Sequence, residues 1–158
     1  MARWTGTWLQ GPGASLGEVR NPGSWPGRRL GLPQLGPGSV APFGARAGAF
    51  VIDVIASALV AGLVDALLDP SDRQRQFASY AVLAVEHVVF VALTGQTVGM
   101  RLLGLTVVRI DRPDRLPGPL PAVLRTSILL LSLGLAALFS REGRGLHDVA
   151  AGTAVVRS

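Results

Sequence analysis

The sequence has no cysteine and no lysine, and charged residues of either sign make up only 16% of it. Without cysteine there is no disulfide, no thiolate nucleophile, no thiolate-held metal and no iron–sulfur cluster. The absence of lysine reads as the codon usage of a GC-rich genome rather than as mechanism. Soluble domains carry about 25% charged residues, so the shortage of charge argues against an ordinary soluble enzyme. What is abundant is apolar: 49% of the 158 residues, with a mean hydropathy of +0.42, in a chain long enough for one domain. All 15 basic residues are arginine against 10 acidic ones, a net charge of +5 that has to be located before it is interpreted.

Residues 1–42 form an irregular tail. The stretch to residue 45 holds ten glycines, six prolines and three tryptophans (Trp4, Trp8, Trp25) without apolar periodicity. Arg3 is followed by no apolar run, so this is not a secretory signal, and the N-terminus is expected in the cytoplasm. Gly11–Gly17 lacks the Lys-Ser/Thr ending of a phosphate loop. Trp25-Pro-Gly-Arg-Arg29 suits a lipid headgroup layer, whereas a few dispersed arginines leave too small an electrostatic footprint for nucleic acid.

Residues 43–158 read as an α-helical membrane domain with helices over about 47–68, 77–93 and 121–139. The first is about 22 residues long, where about 20 cross the hydrocarbon, and the second, at about 17, is at the lower limit. The third has an uncharged core of only about 12 residues, Ile128 to Phe139, so by length it either spans or re-enters. Gly104–Ile110 and Gly152–Ser158 share a β-branched pattern, and each strand alone would leave its backbone unpaired, so the two are expected to pair. Five arginines lie in or at the end of the tail, four between the second and third segments and three after the third, which places the tail and the long loop in the cytoplasm. Pairing of the strands then favours a third segment that bends back, with Gly134 as the break.

Charges inside the segments are the candidate functional residues. Arg46 and Asp53 are seven residues apart, two turns on one helix face. Asp53 lies about 9 Å into its segment and Arg125 about 6 Å into the third, and this match of depths makes Asp53 with Arg125 the expected intramembrane ion pair. Glu86 and His87 fall midway along the second segment, where neither reaches water by extending, and form a candidate proton or partner site. Adjacent helical residues point about 100° apart and make no metal chelate, so no metal and no other cofactor is expected. Asp65 sits near the outer interface, and Ala58, Gly62 and Ala66 make a small-residue stripe suited to core packing or dimerisation. His147-Asp148 has no activated hydroxyl or thiol beside it in sequence, and no enzymatic activity is expected.

Arg46-Ala-Gly-Ala-Phe-Val-Ile-Asp53, Gly95-Gln-Thr-Val-Gly-Met-Arg-Leu-Leu-Gly-Leu-Thr-Val-Val108 and Gly145-Leu-His-Asp-Val-Ala-Ala-Gly-Thr153 together resemble the RDD family of small bacterial membrane proteins. The resemblance covers about residues 40–157, and the tail resembles actinobacterial members. The arginine and two aspartates that name the family match Arg46, Asp53 and Asp148, and the loop motif falls on Gly95, Gln96, Thr97 and Gly99. Where such proteins usually carry a basic residue after Val98-Gly99, this chain has Met100, with Arg101 next to it. Asp148 is expected to be held by Arg46 or by the Gly95–Thr97 turn. The resemblance implies a multi-pass protein of a bacterial plasma membrane and, from the role proposed for some members, proton-linked cation transport. Two or three helices cannot enclose a path, so transport calls for a homo-oligomer with Asp53 and Glu86 as cycling carboxylates; the alternative is an accessory subunit or assembly factor of a larger membrane complex.

Overall fold

The computed structural model describes residues 25–68, 71–132 and 143–158. Its elements in chain order are a 3-10 turn (Arg28–Leu30), α1 (Phe43–Leu68), α2 (Asp72–Thr94), α3 (Val98–Leu102), β1 (Leu105–Arg109), α4 (Pro119–Leu131), α5 (Leu146–Ala150) and β2 (Thr153–Arg157). Both long helices begin before their apolar runs. Pro42 supplies the carbonyl for the first turn of α1, accepting from Arg46 N–H at 3.2 Å. At α2, Gln74 Oε1 accepts from the Ser71 backbone N–H at 2.9 Å, a capping box that starts the helix in polar sequence ahead of Phe77.

α1 is inside out relative to a soluble helix. The residues it buries, Ala49, Asp53, Ser57 and Ala61, are small or polar and recur every four positions, while Val51, Ile55, Leu59, Leu63 and Leu67 face outward. Leu59 is 70% exposed and Asp53 not at all. That arrangement suits a helix whose surroundings are hydrocarbon, with polar groups gathered inside. α1 and the Phe77–Thr94 part of α2 are each long and apolar enough to cross a membrane. They pack along one another as consecutive helices, so the start of α1 and the end of α2 lie at one end of the bundle.

The short elements close that end. β1 and β2 pair antiparallel, Leu105 with Arg157 through Arg109 with Thr153, which is the expected strand pair. The end of the tail is built into this sheet rather than detached from it. Val40 bridges Val156, and Ala41 N–H donates to Val155 O at 2.9 Å. Nearby, the Trp25 indole N–H donates to Leu32 O at 2.9 Å and the Arg28 guanidinium lies 5.2 Å above its ring, so this segment is bonded to itself. Trp4, Trp8, Gly11–Gly17 and the proposed break at Gly134 fall outside the described residues.

α4 has 13 residues, about 20 Å at 1.5 Å each, shorter than the ~30 Å of hydrocarbon. It starts beside the end of α2, since a Cβ on Gly95 would stand 3.7 Å from Pro117. The small-residue stripe is not used within the described residues: Ala58, Gly62 and Ala66 are exposed, and a Cβ on Gly62 would meet nothing within 4 Å.

The tightest approach between elements is that of α3 to α1. A Cβ on Gly99 would collide with the Ala49 backbone oxygen and stand 2.9 Å from Asp53 Oδ1. Gly99→Ala is therefore expected to destabilise the protein in detergent thermal unfolding by ~2 kcal/mol or more, whereas Gly62→Ala, facing open space in a helix, should be neutral or gain up to ~1 kcal/mol.

Candidate functional site

Asp53 enters the core because α1 presents that face, and an ionised carboxylate there requires donors. The turn between α2 and α3 brings them. Gly95 ends α2 in the left-handed region, at φ 72°, and turns the chain so that α3 begins against α1. Thr97 Oγ1–H then donates to Asp53 Oδ2 at 2.6 Å and Gly99 N–H to Oδ1 at 2.6 Å. Thr97 Oγ1 in turn accepts from Met100 N–H at 3.2 Å, capping α3. Gln96, the other polar residue of the turn, faces the sheet, donating to Leu105 O at 3.0 Å and Thr106 Oγ1 at 2.8 Å.

The expected ion pair of Asp53 with Arg125 does not form. Arg125, 2% exposed, lies with its Nη2 3.4 Å from Asp148 Oδ1, and Asp53 takes the turn instead. Depth along a helix was the basis for pairing Asp53 with Arg125, and depth does not report rotation about the axis. Of the two partners expected for Asp148, Arg46 is beside it, while the Gly95–Thr97 turn serves Asp53 and Arg125 goes to Asp148.

Asp148, wholly buried on α5, is the second centre. Arg46 Nη1 stands 3.9 Å from its Oδ2, His147 Nε2 3.3 Å from the same oxygen, and Thr153 Oγ1 donates to Oδ1 at 3.4 Å. Two guanidiniums from α1 and α4 thus converge on one carboxylate from α5. The adjacent His147 does reach Asp148, unlike most neighbours in sequence. Burial is the largest influence on His147 and lowers its pKa to about 4 against Asp148; Arg125 and Arg46 add to the lowering. His147 is therefore neutral at pH 7.

Glu86 and His87 face the first centre from α2. Ser57 Oγ–H donates to Glu86 Oε2 at 2.8 Å, while Glu86 Oε1 is buried without a partner. His87, 2% exposed, has Nδ1 3.1 Å from Leu83 O, Nε2 3.8 Å from Asp53 Oδ2, and Phe50 against its ring at 6.1 Å. Glu86 is eight residues from the end of α2 and Asp53 ten from the start of α1, about 12 and 15 Å, so the two carboxyls lie at similar depth. Ser57 is the residue that sequence reasoning missed, and its signal was the spacing of four from Asp53. Asp65 stays apart from the cluster. Among the described residues no group of three or more His, Asp or Glu is arranged to hold a metal ion.

A cavity of about 160 Å³ is lined by Phe90, Thr94, Gln96, Thr97 and Arg101, and Thr97 is also the residue whose hydroxyl donates to Asp53.

Removing the acid from the second centre leaves two guanidiniums facing each other. Asp148→Asn is expected to cost ~3–5 kcal/mol in detergent unfolding, and the coupling measured between Asp148→Asn and Arg125→Gln should exceed that between Asp53→Asn and Arg125→Gln. Acid should act here too. Between the ordinary histidine pKa of 6.5 and about 4, the unfolded chain binds a proton that folded His147 refuses. Stability is then full above pH 6.5 and falls toward pH 4 by on the order of 3 kcal/mol, and His147→Gln should flatten that part of the profile.

Arg46, Asp53 and Asp148, the turn at Gly95–Gly99 and the paired strands thus form one connected arrangement at the sheet end of two apolar helices. The sequence matches the RDD family over residues 40–152, which is most of the chain. No curated protein and no solved structure matches it. The match spans all three motif segments, and the chain belongs to the RDD family of membrane proteins.

Proposed function

We propose that this protein exchanges a monovalent cation for protons across a bacterial plasma membrane, acting as a homo-oligomer with Asp53 and Glu86 as the carboxylates that change occupancy. The observation that carries the reading is Glu86 Oε1, a buried atom with no hydrogen-bond donor among the described residues, at the depth of Asp53. Asp148, Arg46 and Arg125 also carry buried atoms without a hydrogen bond, but their charges face one another as ion pairs, whereas the described residues place no cation against Glu86. An acceptor left open in a low-dielectric interior is instead disposed to take up a proton or a cation. That Thr97, the donor to Asp53, helps to line a cavity supports access from the sheet end. The reading calls for a homo-oligomer because two long helices enclose no path by themselves.

The reading places the N-terminus, the sheet and Asp148 on the cytoplasmic side. Since α4 is short and Asp148 beyond it lies beside Arg125 in its middle, the segment around 121–139 would enter and return rather than cross. An accessory or assembly role is the rival, and purification in mild detergent separates the two: stoichiometric foreign subunits would favour it, a homo-oligomer the transport reading.

In proteoliposomes, the unsubstituted protein is expected to dissipate a proton gradient when Na⁺, K⁺ or Li⁺ is supplied on the opposite side, and Glu86→Gln to lower that flux by at least tenfold with the oligomer intact. Flux absent for all three cations, or unchanged by the substitution, would end this reading. A single cysteine at Ser158 of the cysteine-free chain should resist an impermeant thiol reagent in intact cells and react after permeabilisation; labelling in intact cells would contradict the topology.

A further inference from the structure

The cavity of about 160 Å³ where α2 turns into α3 has a lining of two kinds. Phe90 of α2 with Val98 and Leu102 of α3 make it apolar on one part, and these three stay 44%, 38% and 69% exposed. Thr94, Gln96, Thr97 and Arg101 make it polar on the other. The short helix α3 accounts for the mixture. Gly99 and Met100 are buried, Gly99 against α1, whereas Val98, Arg101 and Leu102, at spacings of three and four, share the other, exposed face. Two apolar side chains and one guanidinium are thereby presented together.

The position of the cavity follows from α2. Thr94 is the last residue of the apolar stretch Phe77–Thr94, and Phe90 lies four residues, about 6 Å, back from it. In a spanning helix that places the lining across the border between hydrocarbon and headgroups, and its apolar part continues into the outward Leu93.

The polar part holds one group that the protein does not use. Thr94 Oγ1–H donates to Phe90 O at 2.7 Å, Thr97 Oγ1–H to Asp53, and Gln96 Nε2 to Leu105 O and Thr106 Oγ1. The sequence from His87 to Ile110 contains no acid, the nearby Arg109 already pairs with Asp111, and among the described residues no acceptor engages the Arg101 side chain. A guanidinium without a carboxylate, beside apolar surface at headgroup level, is complementary to a ligand that is anionic at one end and hydrocarbon at the other. Free phosphate would use only half of this lining. A zwitterionic headgroup would bring an ammonium, for which the cavity has no carboxylate.

We propose that this cavity holds the phosphate of an anionic phospholipid against Arg101, with the acyl chains along Phe90, Leu93 and Leu102. Thr97 lines the same cavity, so under the transport reading the headgroup stands beside the access to Asp53; the binding itself does not rest on that reading.

Native mass spectrometry of the full chain, delipidated in mild detergent, tests this with added phosphatidylglycerol, phosphatidylcholine or inorganic phosphate. Phosphatidylglycerol is expected to be retained, with phosphatidylcholine and inorganic phosphate each bound about tenfold more weakly or worse. Arg101→Gln should weaken phosphatidylglycerol by about tenfold, and Leu102→Asn should weaken it less. Arg115→Gln, which removes an exposed arginine outside the cavity, should leave it unchanged. Phosphatidylcholine or inorganic phosphate held as tightly as phosphatidylglycerol, an affinity unaltered by Arg101→Gln, or an equal loss in Arg115→Gln would each overturn the proposal. The comparison of ligands uses the native sequence, so it decides even where a variant fails to fold. Cation flux without selective lipid retention would reject this site alone, and retention without flux would reject transport alone.

Discussion

A carboxylate buried in an otherwise apolar helix has to be supplied with donors, and the way Asp53 is supplied determines how the rest of the chain is arranged. Its donors come from outside its own helix, from the hydroxyl of Thr97 and the backbone of Gly99. To deliver them, α2 must stop at Gly95, α3 must press against α1 closely enough that only glycine fits at position 99, and β1 must follow directly. The first helix is thereby tied to the turn and the sheet by a charge rather than by apolar packing. In hydrocarbon that is the stronger tie, because lipid competes with apolar contacts and offers no substitute for a hydrogen-bond donor.

The second centre works from the other direction. Asp148 arrives near the C-terminus and lies between arginines of α1 and α4, so the last residues of the domain lock onto its first and third long elements. β2 then pairs with β1 on one side and with Val40 on the other. The arginine and two aspartates of the family signature therefore belong to two adjacent sites. Arg46 with Asp148 closes the chain, and Asp53 anchors the turn.

Much of this was legible in the sequence, and the exceptions have physical reasons. The two long helices follow from length and hydropathy, and the strand pair from the repeated Val-Val-Arg pattern and the need to satisfy its backbone. That Arg46 faces Asp148 was legible; that Arg125 joins it and the turn takes Asp53 was not, because depth along a helix does not report rotation about its axis and one of the deciding donors, the backbone N–H of Gly99, has no side-chain signature. Ser57 was overlooked for a related reason, since a serine in an apolar run carries no charge to draw notice. The ends of α1 and α2 extend past the apolar runs because capping at Pro42 and Ser71–Gln74 sets helix limits independently of hydropathy.

If the charge on Asp53 is what fastens the turn and the sheet to the first helix, the Gly99 amide should report it. Residue-resolved hydrogen exchange in detergent or bilayer is expected to find that amide protected as strongly as those of β1 and β2. Asp53→Ala should release Gly99 and both strands together, while amides between Leu83 and Val91 stay slow. A Gly99 amide that exchanges at the rate of an unstructured peptide in the unsubstituted protein would contradict the anchoring role of Asp53.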